Sequence, residues 1–105
     1  MAFDLSILTP EGAIYQGEAS SITAEGVQGN FGVLSGHAPM ISALNAGPVK
    51  VDTGTETLFF AVGDGVLEVA NNSVKVLADN AEKAESLDEA KSLSKELGER
   101  LKAFE

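Results

Sequence analysis

Hydrophobic and polar positions alternate at the start of the chain, where Asp4 and Ser6 separate Phe3, Leu5 and Ile7 before Pro10-Glu11-Gly12 turns the backbone. A period of two puts successive side chains on opposite faces, so this segment predicts a strand with one buried face. Ile14 and Tyr15 lead into a second strand and Ser20 to Ala24 into a third. Met40 to Leu44 and Val49 to Val51 read as two more, separated by Asn45-Ala46-Gly47-Pro48. Leu58-Phe59-Phe60-Ala61-Val62 is apolar throughout, which predicts a central strand covered on both sides. Gly63-Asp64-Gly65 and Asn71-Asn72-Ser73 read as hairpin turns joining strands at Val66 to Val69 and Val74 to Leu77. Short strands with turn signals about every 8–12 residues predict a mainly β protein, a sandwich or barrel.

The pattern changes near residue 79, dividing the chain into a β-sandwich domain over 1–79 and a linker with a C-terminal helix over 80–105. Ser86 and Glu89 have the spacing of a capping box, which starts a helix. Leu87, Ala90, Leu93, Leu97, Leu101 and Phe104 recur every three or four residues and form one apolar stripe. Glu96 and Arg100 form a favourable surface pair. Gly98 lies inside this pattern and costs about 1 kcal/mol against alanine. So short a helix needs a surface to lie on, and docking of the stripe on the sandwich supplies one.

Composition narrows the function classes. The 105 residues carry 44% hydrophobic content, enough for one packed domain, and no cysteine, which excludes disulfides and thiolate metal sites. No apolar run is long enough to span a membrane, and Met1-Ala2-Phe3-Asp4 has neither the basic start nor the apolar stretch of a leader, so the chain is expected to stay where it is made. The net charge is −9, and over residues 1–78 Lys50 and Lys75 are the only bases. Such a surface repels nucleic acid and anionic lipid, leaving a protein partner as the expectation.

The densest cluster of special residues is Gly29 to Pro39, G-N-F-G-V-L-S-G-H-A-P, with three glycines, one proline and the only histidine. It reads as a shaped loop in which Gly29, Gly32 and Gly36 permit chain reversals. The run resembles a signature of the epsilon-subunit family of F-type ATP synthases. Gly65-Val66-Leu67-Glu68-Val69, Asn72 to Asp79, Ala81-Glu82 and Leu87-Asp88-Glu89-Ala90 resemble further epsilon segments in the family's order. This resemblance implies a β-sandwich of about ten strands followed by C-terminal helical structure. It implies a non-catalytic central-stalk subunit that binds the gamma subunit and the c-ring and couples proton-driven rotation to ATP synthesis. The implied location is peripheral, at the cytoplasmic face of a bacterial inner membrane. Gly29, Asn30, Phe31, Gly32, Gly36, His37, Ala38 and Pro39 become the candidate c-ring and stalk contacts.

Two departures from the family set further expectations. Members commonly end in two helices, whereas residues 80–105 supply material for one, so a short form is expected whose helix touches the alpha/beta catalytic head little and restrains hydrolysis weakly. Some members bind ATP through Ile/Leu-Asp-x-x-Arg-Ala, which here reads Leu87-Asp88-Glu89-Ala90-Lys91-Ser92. Lys91 keeps the charge but not the fork of arginine, so no cofactor is expected and ATP would act only as a regulatory ligand.

Enzyme chemistry has little support in the residues. His37 is the lone imidazole, and no serine lies in a nucleophile elbow. Scattered carboxylates lack metal-ligand spacing. Asp52-Thr53-Gly54 matches the signature of homodimeric aspartic proteases, in which paired aspartates share a proton. Its place between two alternating segments reads more simply as a turn. A free-standing β-sandwich binding module is the other alternative.

Overall fold

The computed structural model describes residues 2–102, with side chains described for 2–99. Ten strands precede one helix: β1 (Phe3–Thr9), β2 (Gly12–Ala19), β3 (Ser21–Gly26), β4 (Gly29–Leu34), β5 (Met40–Leu44), β6 (Gly47–Asp52), β7 (Thr57–Val62), β8 (Gly65–Ala70), β9 (Ser73–Ala78), β10 (Ala81–Ala84) and α1 (Leu87–Lys102). β3 holds β4 along one edge and shares its other edge between β6 and β5. The sheet is thereby folded at β3 into two layers, β4-β3-β6-β7-β10 and β5-β8-β9-β1-β2. Among the described residues only β1 and β9 pair in parallel. The far edges, β2 and β10, approach each other, so the sandwich nearly closes into a barrel.

Between the layers lies one core. Phe3, Leu5 and Ile7 face inward from β1, Val49 and Val51 from β6, Phe60 and Val62 from β7, and Val74 and Val76 from β9. The alternation in the sequence is therefore the alternation of core and solvent. Phe60 also meets Tyr15 edge-on, with ring centroids 5.7 Å apart, where the two far edges converge. β7 is apolar on both faces because α1 covers its outer side, alongside β6 and β10. Ala61, Ala84, Ala90 and Leu97 are buried outside the main core and form this second, thinner layer.

Several local expectations change. The stretch read as a loop from Gly29 is a strand as far as Leu34, fully in register with β3. The glycines at its start misled the reading, because a hairpin strand needs turn chemistry only at its tip. Gly63-Asp64-Gly65 is not a hairpin turn, since β7 and β8 lie in different layers. It is a crossing, where the Asp64 carboxylate accepts the Ala46 N–H at 2.9 Å. A side chain on Gly65 would collide with the Leu77 carbonyl. Asn71 and Asn72 do form a tight hairpin turn, both at positive φ (51° and 56°), as the twist of paired strands favours. The first part of the presumed linker is β10, which pairs with β7.

The helix begins as its capping box predicts. Ser86 Oγ accepts the Glu89 N–H at 3.1 Å, while the Glu89 carboxylate accepts the Glu85 N–H at 3.2 Å. Its buried face differs from the predicted stripe: Leu87 is exposed, Leu93 half-buried, and Ser94 is buried with its hydroxyl donating to the Lys91 carbonyl. The amide of Asn80 donates to the Leu97 carbonyl at 3.5 Å, and its Oδ1 is buried without a partner among the described residues. The predicted Glu96–Arg100 pair and the contacts of Leu101 and Phe104 lie outside the described residues.

Candidate functional site

β3 and β4 form a hairpin that turns at Val27 and Gln28, with Gly29 at φ 125° resuming the strand. Asn30, Gly32 and Leu34 are exposed, while Val33 is buried and Phe31 packs against the core. Gly26 makes room for the Phe31 ring, since a Cβ there would lie 2.9 Å from Phe31 Cε1. Gly32 has no positive φ and makes no turn, in contrast to the expected reversal. It is an ordinary strand position without a side chain.

Gly36 does turn the chain, at φ 81°. The His37 N–H donates to the Leu34 carbonyl at 3.2 Å, and His37 Nδ1 donates to the Ala38 carbonyl at 2.7 Å. A carbonyl can only accept, so Nδ1 carries the hydrogen. The imidazole braces its own turn, and exposed Ala38 and Pro39 follow.

Asn72, read from the sequence only as a turn residue, holds this loop in place. Its Oδ1 accepts the Gly36 N–H at 2.9 Å and the Ser35 hydroxyl at 3.2 Å, while its Nδ2 donates to the Ala2 carbonyl at 2.9 Å. One side chain thus joins the β8–β9 turn, the N-terminus and the glycine loop. Asparagine suits the place because it tolerates the left-handed backbone and carries both a donor and an acceptor. The lone signal in the sequence was the Asn-Asn pair, which reveals the turn but not what the amide reaches.

The remaining candidates lie elsewhere. Leu87 and Lys91 line a cavity of about 240 Å³ with Lys50, Thr23 and Asn30, whereas Asp88 is exposed and not among the lining residues. The Asp52 carboxylate accepts the Gly54 N–H at 2.8 Å, an Asx turn closing the β6–β7 hairpin, with Gly54 at φ 95°. Its oxygen is committed to the turn, as the simpler sequence reading has it.

The outer face of the second layer is apolar along one row. Ala43 on β5 stands opposite Val66 on β8, Val66 opposite Leu77 on β9, and Leu77 opposite Leu8 on β1. Val66 and Leu77 are 37% and 47% exposed, and Ile41 and Val27 at the end of the row reach 73% and 58%. Scattered exposed apolar side chains are ordinary, whereas this row is contiguous across four strands. No sequence window shows it, because its members are neighbours only across strands.

A two-layer β-sandwich of this topology followed by a helix, with a loop at one end held by Asn72 and His37, defines a β-sandwich protein with an appended helix. Residues 2–84 match the family described as ATP synthase, Delta/Epsilon chain, beta-sandwich domain. The ATP synthase epsilon chain of Acidithiobacillus ferridurans is 40% identical over 94 residues, covering 90% of this chain and 67% of the relative. That of Helicobacter pylori strain 26695 is 39% identical over 97 residues, covering 89% and 79%. The mitochondrial ATP synthase of Euglena gracilis, solved as an OSCP/F1/c-ring assembly, contains a chain that superposes with a TM-score of 0.76 at 25% identity, over 93% of this chain and 62% of that one. The central stalk and c-ring structure from Tetrahymena thermophila shares the fold, with a TM-score of 0.66 at 18% identity over 75% and 64% of the two chains. The chain belongs to the ATP synthase epsilon chain family, a non-catalytic subunit of that complex. It spans 67% of the length of the Acidithiobacillus relative and 64% of that of the ATP synthase epsilon chain of Chromohalobacter salexigens, which is 44% identical over 91 residues.

Proposed function

We propose that this chain is a central-stalk subunit that binds the gamma subunit through the outer face of its second layer and meets the c-ring through the β3–β4 hairpin and the Gly36–Pro39 loop. The observation that carries the reading is the apolar row Ala43–Val66–Leu77–Leu8, which lies on the layer that α1 does not cover. Burying apolar area drives association, at about 25 cal/mol per Å², before the costs of binding are subtracted. The c-ring contact rests on the family resemblance of Gly29, Asn30, Phe31, Gly32, Gly36, His37, Ala38 and Pro39. In this role the chain does no bond chemistry. It links rotation of the ring to the stalk, and restraint of ATP hydrolysis would fall to the helix. The place of work is peripheral, at the cytoplasmic face of a bacterial inner membrane. Among the described residues no helix is long and apolar enough to cross one.

The test is binding of purified gamma subunit to the chain with Val66→Glu and Leu77→Glu together. Both positions are partly solvent-exposed, so the sandwich should fold while gamma binding falls by at least tenfold. Unchanged affinity in a folded double variant would place gamma elsewhere. ATP has no part in the proposal, since Lys91 replaces the family's arginine and Asp88 does not line the cavity beside it. Millimolar ATP should accordingly leave the melting temperature of the free chain within about 1 °C, a shift of that size being expected only near or above the dissociation constant.

A further inference from the structure

β4 pairs with β3 alone, so among the described residues its other edge is open. The Asn45 N–H donates to the Glu25 carbonyl at 3.2 Å and the Val27 N–H to the Ala43 carbonyl at 3.0 Å, so Glu25 and Val27 direct their backbone groups toward β5. By alternation Ala24 and Gly26 bond to β4, opposite Phe31 and Gly29. Phe31 and Val33 therefore bond to β3, while Asn30, Gly32 and Leu34, all exposed, turn their N–H and C=O groups outward. Of these groups only the Leu34 carbonyl has a described partner, the His37 N–H.

Proteins usually guard such an edge with charge, proline or a bulge. Here residues 26–49 contain no Asp, Glu, Lys or Arg, and β4 has no proline. The open edge is complementary to itself. Set antiparallel to its copy about a two-fold axis at Gly32, β4 places Gly32 opposite the partner's Gly32 and Asn30 opposite the partner's Leu34. Every outward-facing residue then meets another, and no side chain crowds the axis. Phe31 comes to stand opposite the partner's Val33, an aromatic against a β-branched side chain, which is a favourable cross-strand pair.

Charge decides whether a copy can approach. The chain carries −9 in all, but in the sheet the acid nearest the edge is Glu25 on β3, opposite Asn30. Across the paired edges the two copies of Glu25 would stand at least about 14 Å apart, three strand spacings. That exceeds the screening length of about 8 Å at physiological salt. Lys50 and Lys91 line the cavity beside Asn30, so the surface next to the edge is not acidic.

We propose that the free chain forms a two-fold dimer by pairing β4 with β4 of a second copy. So short an edge buries far less than the roughly 1,200–2,000 Å² of a stable interface, so the dimer is weak and forms only at high concentration. It uses Asn30 and Gly32, which the stalk function assigns to the c-ring. Dimer and ring contact therefore exclude each other, and the dimer is a form of the chain outside the complex.

Sedimentation of the full chain alone, from micromolar to millimolar concentration, tests this whether or not the stalk function holds. The mass should rise from 10.9 kDa toward twice that value. Over the same range the amides of Asn30, Gly32 and Leu34 should exchange several-fold more slowly, while those of Phe31 and Val33 stay slow throughout. Added salt should leave the dimer as strong or stronger, because no ion pair holds it. Gly32→Pro removes the N–H at the axis without breaking a bond to β3. The site has room, because a Cβ there would meet nothing nearer than the Ile22 carbonyl at 3.7 Å. This variant should weaken the dimer by at least tenfold, and if it fails to fold, the exchange pattern of the unaltered chain decides alone. A chain that stays monomeric at millimolar concentration overturns the proposal, as does a folded proline variant that dimerises like the parent. A dimer whose edge amides exchange as in the monomer, or one that salt dissolves, overturns it too. Edge protection that appears only when gamma or the c-ring is added assigns the edge to that partner and overturns the dimer.

Discussion

Gly98 and Ala46 meet across the seam between helix and sheet: a Cβ built on Gly98 would stand 3.0 Å from the Cβ of Ala46. The glycine that weakens the isolated helix is what lets it lie close. Gly98→Ala gains about 1 kcal/mol of helix propensity but presses on Ala46, so the net change in stability should be under about 1 kcal/mol. Gly98→Val should lift the helix, and amide exchange at Leu93 to Leu97 should accelerate at least tenfold while the sandwich melts within a few degrees of the parent. Undisturbed exchange in the valine variant would show that the approach is looser than it looks.

Tyr15 closes the seam where β2 nears β10, through its edge-on contact with Phe60 and a hydroxyl that donates to the Glu18 carbonyl at 3.1 Å. Tyr15→Phe removes only the exposed hydrogen bond and should cost about 0.5 kcal/mol. Tyr15→Ala removes the aromatic contact and the burial, which should cost about 2–3 kcal/mol. Urea unfolding of both variants separates the ring from its hydroxyl.

Asn72 separates backbone from side-chain effects in the same way. Asn72→Gly keeps the left-handed backbone and loses the three side-chain hydrogen bonds, so stability should fall by about 1–2 kcal/mol. Asn72→Ala adds strain at φ 56° and should fall further, by about 1 kcal/mol. Faster exchange of the Gly36 amide in both variants would trace the loss to the loop.

Gly36→Val should impair assembly with the stalk more than His37→Gln. Valine at φ 81° is strained, whereas glutamine can still donate to a nearby carbonyl. Circular dichroism of each variant and reconstituted ATP synthesis make the comparison. Equal or reversed severity would assign the functional role to the imidazole rather than to the turn.

Strands were legible wherever one face was buried, because a core imposes the period of two on Phe3, Leu5 and Ile7 or on Val74 and Val76. The helix start was legible for a local reason, since Ser86 and Glu89 bond within one turn. What escaped depends on distant neighbours. β4 looked like a loop because Gly29 and Gly32 have the composition of one, yet pairing with β3 outweighs propensity. Ser94 broke the apolar stripe but is buried because its hydroxyl is satisfied by the Lys91 carbonyl within its own helix. The site was legible as a run of residues from Gly29 to Pro39, but its brace, Asn72, lies 36 positions from Gly36. The apolar row spans four strands and has no linear signature at all.

The second, thinner layer of the molecule has a mechanical consequence. Among the described residues only Ala90, Ser94 and Leu97 of the helix are fully buried, and Leu97 alone is large. Burial of Leu97 and the Ala90 methyl contributes roughly 2–4 kcal/mol as an upper bound. The unpaired Oδ1 of Asn80 beneath the helix subtracts about 1–3 kcal/mol. Over its described residues the helix is therefore latched to the sandwich rather than welded to it. A surface offering it one comparable leucine pocket, and a donor for Asn80 left free behind it, would open the latch at little expense to the barrel.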